Sequence, residues 1–144
     1  MRRATLQSQR GKVDVSFEEV ARWLAMLIGA WLIAIGLIMP LRPLAALGAL
    51  GQMGSTNVIH FAELGLRLMG GIVLVVAAAG SRFPAVLTLI GWFVVASSIV
   101  LMLAPRPWHA AYSTWWAKRI PPLMVRLIAP FSVVAGGALI YSVA

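Results

Sequence analysis

Four long apolar runs, separated by short polar or proline-rich segments, dominate the pattern along this chain. The uncharged runs cover 23–39, 68–79, 83–104 and 127–144, and the second extends back to residue 64 across Arg67. A helix needs roughly 20 apolar residues to cross a bilayer. The sequence shows none of the alternation that marks a half-buried strand. The pattern therefore predicts four transmembrane helices, of which the second is the weakest because it is short and contains an arginine.

A capping signal predicts where the first helix begins. In "VSFEEV", Ser16 is an N-cap candidate and Glu19 follows three residues later, which is the spacing of a capping box. We expect this helix to run from Phe17 to about Met39, preceded by a loosely ordered or lipid-associated basic arm over residues 1–15. A secretory signal peptide is the competing interpretation. The long polar leader and the lack of a clear small-x-small cleavage site favour an uncleaved anchor.

The composition favours a protein embedded in the bilayer. Of 144 residues, 61% are hydrophobic and 11% are charged, whereas an average soluble protein has roughly 25% charged residues. The net charge is +8, but the basic residues flank apolar runs. This placement favours binding to lipid headgroups over binding to nucleic acid. The expected partners are therefore the lipid bilayer, its anionic phospholipids and other membrane subunits. The absence of cysteine excludes disulfides and thiolate-ligated metals.

Basic and aromatic residues near the ends of the runs are candidates for contact with lipid or with a partner. Aromatic residues recur at helical spacing between the third and fourth runs, which predicts a short amphipathic helix at the headgroups. The candidates are Arg2, Arg3, Arg10, Lys12, Trp108, Trp115, Trp116, Lys118 and Arg119.

The distribution of basic residues leaves the orientation balanced, because six fall on each side of the predicted spans. Arg22 and four residues of the arm precede the first run, whereas only Arg42 follows it. The first helix usually dominates, so we expect both termini in the cytoplasm.

Four arginines indicate an internal repeat. Arg22 and Arg82 are 60 residues apart and open the first and third runs, while Arg67 and Arg126 are 59 apart and open the second and fourth. This spacing predicts a tandem duplication of a two-helix hairpin, with a pseudo-two-fold axis along the membrane normal. Chance similarity between apolar segments is the competing explanation.

The predicted fold class is an all-α membrane protein with four transmembrane helices. Two tandem helical hairpins, over 16–80 and 81–144, follow the basic arm. The second hairpin, with "APRPW", "IPPLMVRL" and "VVAGGALIYS", resembles the small YjeT-like bacterial membrane proteins, which contain about one such hairpin each. The first copy matches more loosely, since "PLRPLAALGALG" lacks the tryptophan. The resemblance implies the hairpin fold and a bacterial inner-membrane location, and it implies no activity.

The candidate metal ligands are His60, Glu63 and His109. His60 and Glu63 share a helix face, and the repeat puts His109 on the same side of the membrane. Three scattered ligands without a second acid are a weak signal, so we expect no metal and no cofactor. Glu63 instead precedes Arg67 by four residues, which predicts an ion pair that lowers the cost of an arginine in the span. Both histidines are then expected in polar loops at headgroup level.

Catalysis is not predicted, because Ser113 and His109 are four residues apart with no acid to orient them. Small residues in the spans predict close helix packing, at Gly70, Gly71, Ser132, Gly136 and Gly137. The predicted function is that of a non-enzymatic accessory or structural subunit of a membrane complex, or a homo-oligomer. The alternative is a small-solute transporter or channel with its path between the hairpins, although no span carries a central carboxylate.

Overall fold

Within the residues that the structure describes, every regular element is an α-helix. The computed structural model describes the backbone of residues 2–144 and the side chains from Phe17 onward. The helices are α1 (Arg2–Ile38), α2 (Pro43–Gln52), α3 (Asn57–Ala78), α4 (Pro84–Leu103), α5 (Arg106–Arg119) and α6 (Pro122–Val143). In this part of the chain, four helices are long and apolar enough to cross a membrane: Phe17–Ile38 of α1, and all of α3, α4 and α6. The prediction of four helices apolar enough to span a membrane is confirmed, and each overlaps its predicted run.

Two helices differ from the prediction. The first helix begins at Arg2 and not at Phe17. Alanine, leucine, glutamine, arginine and lysine, all good helix formers, make up much of residues 2–15, so the helix continues through the predicted cap. The second difference is α2, which occupies part of a segment expected to be a loop. Its proline at the first position and its leucine- and alanine-rich sequence favour a short helix.

Local sequence explains where the other helices begin. Proline occupies the first or second position of α4, α5 and α6, where its missing N–H leaves no hydrogen bond unmade. At the start of α3, the Thr56 hydroxyl accepts a hydrogen bond from the Ile59 backbone N–H at 3.1 Å. These signals fix the start of the helices that carry the polar residues described below.

The spans pair in an order that differs from the predicted hairpins. Among the described helices, the most extensive interfaces are α1–α6 and α3–α4, and α1 also packs on α3. The two spans of the second predicted hairpin, α4 and α6, do not form an extensive interface. The first span therefore pairs with the last, and the second pairs with the third.

Glycines let the paired spans approach closely. A Cβ on Gly29 of α1 would lie 2.8 Å from the Gly136 carbonyl oxygen, and a Cβ on Gly71 of α3 would lie 3.0 Å from that of Gly91. The Ser132 hydroxyl adds a hydrogen bond of 2.9 Å to the Leu32 carbonyl across α1–α6. Close approach and interhelical hydrogen bonds are the main attractions between helices in lipid.

The two ends of the bundle differ. At one end, α2 packs against α5 and also touches α6. At the other, the Arg22 side chain donates to the Val143 carbonyl at 3.0 Å, and the Arg82 backbone N–H donates to the Ser142 carbonyl at 2.8 Å. A small cluster of buried apolar residues lies at this second end: Ala21, Ala25, Ala77, Ala78, Leu87 and Val143. The beginning of the first span and the end of the last therefore lie together.

Candidate functional site

A buried pair of histidines joins α3 to α5 at the α2–α5 end of the bundle. His60 lies in the first turn of α3 and His109 in the first turn of α5. Their Nδ1 atoms are 3.1 Å apart, and the side chains are 1% and 8% exposed. The structure thus brings together two residues 49 positions apart in the chain. The histidines do not lie in polar loops as predicted, since each is in the first turn of a helix and its ring is buried.

The hydrogen-bonding pattern of the pair follows from its surroundings. Two imidazole Nδ1 atoms can share a hydrogen bond only if one carries a proton and the other offers a lone pair. The Glu63 Oε1 atom lies 4.0 Å from the Nε2 atom of His109. A proton on Nε2, on the side of that carboxylate, would make His109 the acceptor through Nδ1 and His60 the donor. The Glu63 Oε2 atom is buried without a hydrogen-bond partner.

The loop between α2 and α3 closes over this pair. Gly54 has a φ of 70°, in the left-handed region that favours glycine. A Cβ at this position would lie 3.1 Å from the Nδ1 atom of His109. The Arg106 guanidinium donates to the Ser55 carbonyl at 2.6 Å, and the Ser113 hydroxyl donates to the His109 carbonyl at 3.0 Å. The Arg106 bond joins α5 to the loop, whereas the Ser113 bond lies within α5.

A second polar feature lies on the outer surface of the spans. Arg67 is at the middle of α3, about 15 Å from either end at a rise of about 1.5 Å per residue. Its side chain is exposed and donates to the Ser97 hydroxyl of α4 at 3.0 Å. The predicted ion pair is not formed: within the described residues, Arg67 has no carboxylate within 4.0 Å, and Glu63 faces His109 instead. Glu63 and Arg67 share a face of α3, but Glu63 lies near α5 and Arg67 bonds to α4.

The guanidinium of Arg67 stays at the depth of its own backbone. Gly71 on α3 packs against Gly91 and Val95 on the antiparallel α4. Arg67 lies four residues before Gly71 on α3. Because α4 is antiparallel, Arg67 is level with a position a few residues beyond Val95, where Ser97 lies. The hydrogen bond to Ser97 directs the charged group sideways along the bundle surface and not towards the headgroups.

The outer face of α5 carries the predicted aromatic and basic residues. Trp108, Trp115 and Trp116 are exposed there, as are Lys118 and Arg119. The Arg119 guanidinium stacks over the Trp115 ring, 3.9 Å from its centroid. His109 and Ser113 occupy the opposite, buried face. Contact of this face with lipid headgroups stays a prediction.

The other predicted contact and packing residues are placed as follows. Gly71, Gly136 and Ser132 lie at the two main helix interfaces. Gly70 makes only an ordinary contact with Ile28, at 3.9 Å, and Gly137 has nothing within 4 Å. The side chains of four arm residues, Arg2, Arg3, Arg10 and Lys12, lie outside the described residues, so their role stays a prediction.

Two glycines that have close neighbours in the structure were not identified from the sequence. Gly91, at the α3–α4 crossing, has small residues nearby in the sequence but no small-xxx-small partner that would have marked it. Gly54 precedes the Ser-Thr cap of α3, but nothing local indicates that it would contact residue 109. No group of three or more histidine, cysteine, aspartate or glutamate side chains is placed to hold a metal ion, as far as the described residues go.

The chain matches no model of a known protein family, no curated protein and no solved structure. The resemblance to YjeT-like proteins therefore stays a prediction.

Proposed function

We propose that this chain is a non-enzymatic subunit that docks another membrane protein through the outer surface of α3 and α4 around Arg67. The observation that carries the proposal is an exposed arginine at the middle of a span with one serine as its hydrogen-bond partner. A charged side chain at the bilayer centre costs roughly 2.5–3.5 kcal/mol on insertion scales. Guanidinium has five N–H donors, so most of them are left for a partner to satisfy.

The chemistry of the partner follows from that charge. A transmembrane helix that brings a carboxylate to the depth of Arg67 would neutralise the guanidinium and accept two of its hydrogen bonds. Intramembrane charges usually face a bundle interior and pair there. The surface around Arg67 becomes interior only when another subunit covers it.

A second copy of this chain fits the surface less well. Among the residues with described side chains, Glu18 and Glu19 lie near the start of the first span, and Glu63 lies about 6 Å from Arg67 along α3. In a two-fold dimer whose axis follows the membrane normal, equivalent residues meet at the same depth. Such a dimer brings Arg67 of both copies to one level and brings no carboxylate there. This favours an accessory subunit of a larger complex over a homo-oligomer.

The proposal places the protein in a bacterial inner membrane, with both termini in the cytoplasm and with anionic phospholipids around α5 and the basic arm. The tandem duplication is part of it, and one correspondence between interfaces supports it, although the α1–α3 interface has no extensive α4–α6 counterpart. A two-fold rotation that exchanges α1 with α4 and α3 with α6 converts the α1–α6 interface into the α3–α4 interface. The alternative of a solute path between hairpins has less support, because none of the described carboxylates lies at the middle of a span.

A defined synthetic helix tests the docking surface. The probe is a leucine-rich transmembrane peptide with one aspartate at its centre, compared with the same peptide carrying leucine there. The protein lacks cysteine, so Ser81→Cys gives a single labelling site for energy transfer in phosphatidylcholine vesicles. Polar contacts between membrane helices are worth about 1–2 kcal/mol in model peptides. We therefore expect the aspartate peptide to associate roughly 5- to 30-fold more tightly than the leucine peptide.

Variants assign that preference to one residue. Arg67→Leu should abolish it, whereas Arg126→Leu, which removes an exposed arginine near the start of α6, should retain it. Arg67→Glu should transfer the preference to a peptide with a central arginine. Equal association of the wild-type protein with the aspartate and leucine peptides would refute the docking proposal.

A further inference from the structure

The buried histidines are not needed for docking at Arg67, since they lie at the end of the bundle and face inward. Burial of two imidazoles against one carboxylate, with one carboxylate oxygen unpaired, is costly unless the cluster binds something. We propose that His60 and His109 bind one transition-metal ion of the copper or zinc type between their Nδ1 atoms.

The spacing of the two nitrogens suits a shared ion. Imidazole nitrogens bind zinc at about 2.0–2.1 Å, so two of them at a tetrahedral angle lie about 3.3 Å apart. The observed Nδ1–Nδ1 distance is 3.1 Å. A metal ion can replace the proton shared by the rings if the two helices separate by a few tenths of an ångström. Both ligands lie in the first turn of a helix, where the backbone holds them in place.

Glu63 is placed to support such a site without being a ligand. Histidines that bind metals usually donate their other ring N–H to a carboxylate or carbonyl, which fixes the tautomer. Glu63 lies on the Nε2 side of His109, 4.0 Å away, and so leaves Nδ1 free to bind. It also supplies the one negative charge close to the ion.

Gly54 keeps space open beside the ligand nitrogen. A side chain at this position would begin 3.1 Å from the Nδ1 atom of His109. Because the described residues supply two ligands, the remaining coordination positions are open to water or to a small exogenous ligand. The α2–α3 loop lies at an end of the bundle, so such ligands can arrive from the aqueous side.

The ligand set and the local charge indicate which ion binds best. Imidazole suits copper and zinc, and the carboxylate- and water-preferring ions magnesium and calcium are disfavoured. The carboxylate of Glu63 offsets part of the charge of either ion. The 3.1 Å spacing of the nitrogens is close to that of a tetrahedral zinc site, whereas a cuprous ion held by two imidazoles prefers a near-linear arrangement with the nitrogens farther apart. We therefore expect zinc to bind more tightly than cuprous copper.

Metal titration of the full chain in detergent tests the proposal. Chelator-stripped protein is titrated anaerobically with cuprous ion, and separately with zinc, against a chromophoric competitor. We expect one zinc ion per chain, and X-ray absorption should show nitrogen ligands at about 2.0 Å with an imidazole signature. Glu63→Gln should weaken binding by about 10- to 100-fold, the effect typical of removing a carboxylate hydrogen-bonded to a ligand.

The variants separate a site from a fortuitous contact. His60→Gln and His109→Gln should each lose stoichiometric binding, while Lys118→Ala, on the exposed face of α5, should bind as the wild type does. Circular dichroism and thermal unfolding of each variant show whether it has folded, and the absorption spectrum of the wild-type complex gives an answer that does not depend on them. Absence of one-to-one binding by the wild type, or a spectrum without imidazole, would show that the pair is a hydrogen-bonded contact only. Neither result bears on docking at Arg67.

Discussion

Gly136 and Gly137 are adjacent in the sequence, but they differ in what surrounds them. Gly136 is buried where α6 crosses α1, and a Cβ there would lie 2.8 Å from Ile33 Cγ1. Gly137 has nothing within 4 Å. The sequence "AGGA" predicts a face of close packing, but it cannot say which glycine faces the neighbouring helix. That depends on the rotation of α6, which contacts with the distant α1 determine.

This pair gives a matched test of the α1–α6 interface. Gly136→Ala should destabilise the protein by about 1–3 kcal/mol, the usual cost of overpacking a tight contact. Gly137→Ala adds the same methyl group in open space and should be close to neutral. Reversible unfolding in mixed micelles with increasing sodium dodecyl sulfate measures both. Equal effects of the two variants would contradict the observed crossing.

At the residue scale, the sequence identified the correct polar residues at the site but not their partners. His60, Glu63 and His109 were all recognised as candidates, because few other titratable groups lie near the spans. The ion pair of Glu63 with Arg67 followed from spacing on one helix. Contacts with α4 and α5 override that local preference, and a single sequence does not encode such contacts in any visible pattern.

Among the elements, α5 has the clearest division of roles. One face buries His109 and Ser113, and the other exposes three tryptophans with Lys118 and Arg119. Proline signals and aromatic spacing were sufficient to predict this helix, because both act within a few residues. The shorter α2 has no such aromatic pattern, and its apolar residues resemble a continuation of the membrane runs.

The exposed face of α5 should anchor the bundle at the headgroups. Trp115→Ala combined with Trp116→Ala removes two interfacial rings and the stacking partner of Arg119. We expect the thermal midpoint in nanodiscs with anionic lipid to fall by roughly 2–8 °C for each kcal/mol lost. Trp92→Ala, which removes an exposed ring from within the span of α4, is the control and should change the midpoint less. If the control caused the larger fall, the interfacial role of α5 would be untenable.

In the whole molecule, the apolar pattern predicted how many spans there are but not how they pair. A run of apolar residues can be recognised from consecutive positions alone. In lipid each run must form its backbone hydrogen bonds internally, so it becomes a helix. The α1–α6 interface joins residues about a hundred positions apart, such as Ser132 and Leu32. The tandem-hairpin prediction assumed that neighbours in sequence pack together, whereas α4 packs on α3 from the other predicted hairpin.

The arrangement of the ends predicts the topology. The α3–α4 loop and the end of α6 lie together, with α2 and α5 at the opposite end. Single cysteines at Ser81 and Ala144 should therefore react from one side of sealed cells or vesicles, and a cysteine at Ser55 should react from the other. With the expected orientation, Ser55→Cys is the variant labelled by an impermeant maleimide outside the cell. Labelling of Ser55→Cys and Ser81→Cys from the same side would exclude the four-span arrangement.

The pairing of α1 with α6 also determines the order in which the protein assembles during synthesis. At roughly 5–20 residues per second, Gly136 is made on the order of 5 to 20 seconds after Gly29. During that interval α1 lies in the bilayer without its main neighbour, with α3 available as a temporary one. The α3–α4 pair needs only a short loop and can form as soon as α4 inserts. The surface around Arg67 is therefore complete before the bundle closes, so a partner subunit can bind this nascent chain while α6 is still being made.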